Sequence, residues 1–215
     1  STFLSLLVLV LLVACKPEAV VPAESVAVSE AADIYPEYRD VMVPPNIAPL
    51  NFMVRGEGDA FVCQLKTARG AKELVAAAGD DGKIIFDTLA WRELLLEARG
   101  GDIEVNVYSH RGDAWLHHPA YTISVAKEEI DPYLTYRLIE PSFELYRQLG
   151  IYERDITRFE ERPIYENNDV YAEDDNHCIN CHTPQQYGET GLSLFHLRAQ
   201  HGGTVFLQGD KAQRP

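Results

Sequence analysis

Methionine and tryptophan are scarce, at 2 residues each in 215, and cysteine stands at 4. Both methionines, Met42 and Met53, lie in the first quarter of the chain. A thioether ligand for a site near the other end would therefore have to come from far away in sequence. Positive charge is also thin: 19 Lys and Arg face 33 Asp and Glu, for a formal net charge of -14. Such a surface repels phosphate, so nucleic acid is not an expected partner, whereas a cationic partner would be attracted. No apolar run approaches the roughly 20 residues that a membrane-crossing helix needs. There is no Gly-rich phosphate loop and no nucleophile elbow, and no carboxylate pair stands at a spacing that compels a catalytic reading. An enzyme is accordingly the less expected class.

What is present begins with Phe3-Leu4-Ser5-Leu6-Leu7-Val8-Leu9-Val10-Leu11-Leu12-Val13-Ala14-Cys15, an apolar run of about a dozen residues that fits the h-region of a signal peptide rather than a bilayer span. Leu12-Val13-Ala14-Cys15 is similar to a bacterial lipoprotein cleavage box, in which Cys15 takes lipid and becomes the new N-terminus. An ordinary signal peptide or a degraded membrane helix is the alternative. With no initiator Met and no basic n-region, the sequence is expected to be a piece of a longer chain. Residues 16–32, rich in Ala, Val, Pro, Glu and Ser, predict a flexible tether. The expectation is export to the periplasm or outer membrane, held to the membrane by a lipid anchor.

From Asp33 to about Val125 short apolar segments alternate with turn residues. Strands are expected at Ala60 to Leu65, at Lys83 to Phe86 after the turn Gly79-Asp80-Asp81-Gly82, at Asp102 to Tyr108 with strict alternation, and at Tyr121 to Val125. Leu89 to Ala98 reads as a helix capped by Asp87 or Thr88 and ended by Gly100. Pro44 and Pro45 keep their predecessors extended. Cys63, alone in Phe61-Val62-Cys63-Gln64-Leu65, reads as a small buried apolar residue. The fold class expected is mainly β with short helices: a small immunoglobulin-like β-sandwich over 33–127, then a loop- and helix-rich segment over 128–203. Within that segment 141–150 and 192–199 are expected to be helical and 160–175 a loop. Thr204-Val205-Phe206-Leu207 reads as a strand with nothing obvious to pair with.

The chemistry sits in His177-Cys178-Ile179-Asn180-Cys181-His182. In Cys-x-x-Cys-His, two thiols at the span of the two vinyl groups of haem form thioethers, and the following histidine lies under the iron. This pattern predicts a c-type haem on Cys178 and Cys181 with His182 as proximal ligand. Attachment outside the cytoplasm agrees with the export signal. A structural zinc site using Cys178, Cys181 and two histidines is the main alternative, and a redox dithiol or a disulfide the others. For the distal ligand, His196 is preferred because a helix would set it beside Leu192 and Phe195, and His201 is the weaker choice. His177 is tethered too closely to reach the other face, and His110, His117 and His118 read as surface turns. A ligated iron implies electron transfer or redox sensing with a redox partner protein. An open iron position would imply a peroxidase-like enzyme, with His201 or Arg198 as acid-base groups.

Several stretches carry a resemblance: Pro44 to Phe52, Tyr136-Arg137-Leu138-Ile139-Glu140-Pro141, Gly150-Ile151-Tyr152-Glu153-Arg154, His177 to His182, and Phe195-His196-Leu197-Arg198 with His201-Gly202-Gly203-Thr204. In this order they resemble exported bacterial proteins, common in Bacteroidetes, often labelled cytochrome c biosynthesis or TolB-like proteins. The resemblance implies haem binding at Cys178, Cys181 and His182 and a following TolB-like β-propeller, of which 204–215 would be the start. The layout expected is thus 1–15 signal peptide, 16–32 tether, 33–127 β domain, 128–203 haem c segment and 204–215 the first piece of a propeller.

Overall fold

In the computed structural model, residues 19–68, 70, 72–139, 149–167, 178–185, 191–198, 202–209 and 211–214 are described. Cys15 and the signal-peptide stretch, His177, His201 and most of the helix expected at 141–150 lie outside them. The described chain is mainly β and contains one helix. It divides into two compact units, one of 1–42 with 50–125, the other of 43–49 with 126–215.

In the first unit, a seven-stranded sheet contains β1 (Val26–Ala27), β3 (Val41–Val43), β5 (Ala60–Thr67), β6 (Glu73–Ala78), β8 (Asp102–Arg111), β9 (Ala114–His117) and β10 (Tyr121–Val125). A three-stranded sheet runs β2 (Ile34–Tyr35), β4 (Phe52–Val54), β7 (Lys83–Ile84). The long strand β8 is the hub, pairing antiparallel with β5, β9 and β10. Its alternation explains its place: Ile103, Val105 and Val107 are all buried, each contributing roughly 1.5–3 kcal/mol by leaving water. Cys63 is wholly buried among them on β5, and burial pushes its thiol far up. It behaves as a small apolar residue.

Helix α1 (Thr88–Ala98) lies against β5 and β6. Its buried residues, Trp91, Leu94, Leu95 and Ala98, follow the i, i+3, i+4, i+7 spacing of one apolar face. The Asp87 carboxylate caps it by accepting from the backbone N–H groups of Leu89 at 3.0 Å and Ala90 at 2.9 Å. The stretch read as a tether supplies β1 from its second half, paired parallel with β9, and Ala32 is buried. His110 and His117 belong to β8 and β9 rather than to turns.

The second unit holds two antiparallel sheets. One is β11 (Tyr133–Leu138), β12 (Gly150–Asp155), β13 (Glu160–Glu166). The other is β14 (Cys178–Pro184), β15 (Leu192–Arg198), β16 (Gly203–Gln208), β17 (Lys211–Gln213). The segment 43–49 is tied in by isolated hydrogen bonds instead of a ladder, among them one from the Ala48 N–H to the Ile156 carbonyl at 2.9 Å. The Asn46 amide donates to the Ile130 carbonyl at 2.8 Å and accepts from the Ile130 N–H at 3.2 Å. One apolar cluster of this unit, among the described residues, is Leu149, Ile151, Ile179 and Phe195, with Tyr165, Cys178, Leu197 and Leu207 packed around it.

Four expectations are corrected here. Residues 192–198 are a strand, not a helix. The loop expected from Glu160 is a strand as far as Glu166, and the segment carrying the cysteines is itself a strand. β16 is not solitary but pairs with β15 and β17. In each case backbone groups find partners on neighbouring strands that are distant in sequence. No described helix is long and apolar enough to cross a membrane.

Candidate functional site

The Cys-x-x-Cys-His motif lies on β14, paired antiparallel with β15. Two features of the local sequence hold it. Ile179 is buried in the core of the unit, and its N–H donates to the Asn167 side-chain oxygen at 2.9 Å. The register then slips between Asn180 and His182, leaving Cys181 as an extra residue with φ 41°. This is a β-bulge whose added residue takes the left-handed region, where a side chain costs energy. Bulges redirect side chains, and here the result is an exposed Cys181 beside a half-buried His182. Cys178 is half-buried against the apolar core. Neither cysteine is in a disulfide.

Cys181 and His182 line a cleft of about 580 Å³ together with Arg137, Leu138 and Ile139, the last turn of chain at the end of β11. That volume is in the range of small-molecule sites. An apolar pocket of about 210 Å³ lies next to Ile179, lined also by Ile164, Tyr165, Phe195, Leu197 and Leu207.

His182 differs from the other described histidines in its partners. His110 Nδ1 is 2.6 Å from an Asp59 carboxylate oxygen. His117 Nε2 is 2.9 Å from the Asn106 side-chain oxygen, and its ring stacks on Tyr108. His118 bridges the Ser109 hydroxyl and the Glu30 carbonyl, each at 2.9 Å. His196 Nδ1 is 3.3 Å from the Thr204 hydroxyl. His182 has no hydrogen bond or ion pair among the described residues, so both ring nitrogens remain available to a ligand.

His196, expected to face the haem from a helix, instead lies exposed on β15. Its neighbour Phe195 is the residue registered opposite His182. Successive residues of a strand point to opposite faces, so His182 and His196 are carried on opposite faces of the sheet. The helix-face reason for choosing His196 therefore does not hold. His201 lies outside the described residues, as does His177. Among the described residues no group of three or more His, Cys, Asp or Glu is placed to hold a metal ion.

The donor set fits a c-type haem in three respects: two cysteines outside any disulfide, an imidazole without an internal partner, and an open cleft with apolar and cationic side chains. Arg137, Leu138 and Ile139 were not expected at the site. Nothing local in Tyr136-Arg137-Leu138-Ile139 marks them, because they meet the motif only through the fold. No protein-family model matches the chain, and no curated protein matches it.

Proposed function

We propose that this chain is an exported, membrane-anchored protein that carries one c-type haem on Cys178 and Cys181, with His182 as an axial ligand, and that it transfers electrons or senses redox state. The observation that carries this reading is the Cys-x-x-Cys-His stretch with its histidine left without a partner among the described residues beside an open cleft. Bound haem would supply an iron that cycles between ferric and ferrous states. The chain's own residues do the rest. Cys178 and Cys181 hold the group and His182 supplies an imidazole nitrogen. Ile179 anchors the segment between the two thiols in the core, and Leu138 and Ile139 offer apolar side chains to the cleft. The β-rich first unit is read as the immunoglobulin-like sandwich that carries this segment. Lipid on Cys15 would hold the protein at the membrane. The resemblance to exported TolB-like haem proteins supports the same reading.

One observation favours a second role for the haem, as a structural staple. The apolar cluster that seats Ile179 of the motif has four buried members among the described residues, and Cys178 packs against it. A covalently held porphyrin would add a large apolar surface to it.

The test is an absorption spectrum, oxidised and reduced, of the full chain made with haem-attachment machinery, followed by denaturation. Sharp reduced bands with pigment that stays on the denatured chain are expected. Colourless protein with stoichiometric zinc would overturn the proposal in favour of a metal-stapled interaction protein. If the haem is a staple, removing it unfolds the second unit while the first keeps its spectrum by circular dichroism.

A further inference from the structure

The cleft beside Cys181 and His182 has a cation without a carboxylate partner among the described residues. The chain is strongly acidic, at -14 overall, and three arginines on the other two strands of the same sheet and the turn between them are matched with carboxylates. Arg154 pairs with Glu161, Arg162 with Glu153, and Arg158 with both Asp155 and Glu160. Arg137 sits among them on β11, registered opposite Ile151. It has no ion pair or hydrogen bond among the described residues. It is half-buried, so its charge is only partly hydrated. Its cleft neighbours among the described residues are Leu138, Ile139, Cys181 and His182, none of them acidic. Arg137, half-buried, differs from these three in standing at a cleft with no carboxylate partner among the described residues. A guanidinium presents paired donors that match a carboxylate in geometry as well as charge.

We infer that Arg137 is the carboxylate anchor of this cleft, so that the group held there is an apolar ring system bearing carboxylates, oriented with its acid groups toward the end of β11. The inference rests on the haem reading for the identity of that ring, since haem is a flat apolar macrocycle with two propionates. It goes beyond that reading by assigning a binding role to a residue about 40 positions upstream of the motif. Without Arg137, the acidic surface would repel the propionates. Leu138 and Ile139 give the apolar part of the ring something to cover.

The experiment uses the full chain, iron-free protoporphyrin and its dimethyl ester, with binding followed by porphyrin fluorescence. The ester keeps the ring and removes the charge. Wild type is expected to bind the free acid about tenfold more tightly than the ester. Arg137→Gln should erase that preference while leaving affinity for the ester unchanged, and Arg137→Lys should keep part of it. Circular dichroism establishes that each variant is folded. Equal binding of acid and ester by wild type, or a preference that survives in Arg137→Gln, would overturn the assignment. Covalent pigment on the denatured wild-type chain is scored separately. A preference for the acid without covalent pigment keeps Arg137 as an anchor and removes the c-type haem. Covalent pigment without the preference does the reverse.

Discussion

His182 and His196 are held on opposite faces of one sheet, because His182 stands across from Phe195 and His196 is the next residue along the same strand. With β14 and β15 paired in this way, the two imidazoles cannot reach one iron from its two sides. His196→Ala is therefore expected to leave the reduced and oxidised haem spectra unchanged, whereas His182→Ala should alter both. A spectral change in His196→Ala would mean that the β14–β15 pairing gives way when haem is attached.

The bulge at Cys181 gives a second prediction. A non-glycine residue at φ 41° carries a penalty of roughly 1 kcal/mol that glycine does not. Cys181 is exposed, so its side chain adds little packing. In the chain made without haem-attachment machinery, Cys181→Gly is expected to hold or raise stability by up to about 1 kcal/mol in urea. Ile179→Ala, two residues away, removes a core side chain that is 2% exposed and should cost about 2–4 kcal/mol. In the haem-loaded protein Cys181→Gly should still retain pigment on denaturation, through Cys178 alone. A fall in stability of the same size as Ile179→Ala would remove the bulge as a site of strain.

Gly82 closes the turn before β7, with φ 64°. A Cβ there would lie 2.3 Å from the Val54 carbonyl oxygen. The Val54 N–H donates to the Gly82 carbonyl at 2.9 Å, so neither strand can retreat without breaking a hydrogen bond. Gly82→Ala should destabilise the first unit by at least about 1–2 kcal/mol, read as a lower thermal midpoint. An unchanged midpoint would show that the turn can relax.

Tyr152 and Tyr136 stack across β11 and β12 with ring centroids 6.1 Å apart. The Tyr152 hydroxyl donates to Glu166 at 2.6 Å, and the Tyr136 hydroxyl donates to Glu161. Hydrogen bonding to Glu166, aided by burial, pushes the Tyr152 phenol up to about 12, and Tyr136 is raised for the corresponding reason. The fold thus favours the protonated phenols. The stability they contribute is complete below pH 10, the ordinary value, and for Tyr152 is lost as pH rises from 10 to about 12. Tyrosinate absorbance should show a late-titrating component that disappears in Tyr152→Phe. Its persistence in that variant would move the assignment to another tyrosine.

Much of the first unit was legible in the sequence for reasons that act locally. Strict alternation at Asp102 to Tyr108 marked one buried face, and β8 runs through it. Asp87 could cap a helix because its carboxylate reaches N–H groups two and three residues on, whatever lies elsewhere. Tyr121 to Val125 carried the same period and is β10. Cys63 could be read as buried because it had no companion in a strand-like apolar run. The strands Glu73–Ala78 and Ala114–His117 were missed: the first is Ala-rich without alternation, and the second carries histidines that favour a surface reading.

The second unit was read less well. Leu192-Ser193-Leu194-Phe195-His196-Leu197-Arg198 is a short apolar run whose spacing suits a helix face about as well as a strand. Its hydrogen-bonding partners decided the matter: β14 on one side and β16 on the other satisfy its backbone. Glu160-Glu161-Arg162 reads as a solvated loop by charge, yet β12 pairs with it, and Glu153 and Glu161 find arginines across the ladder.

The amino-acid sequence by itself determined the chemistry available: two thiols and an imidazole at haem spacing, an acidic surface, and the alternation and caps that make strands and one helix. These are properties of neighbours in the chain, so no fold is needed to state them. Only the tertiary structure decided which histidine is left without a partner, on which face His196 points, and that Arg137 stands at the cleft with Cys181 and His182. Those depend on strand register and on contacts between residues about 40 positions apart, which no local pattern encodes.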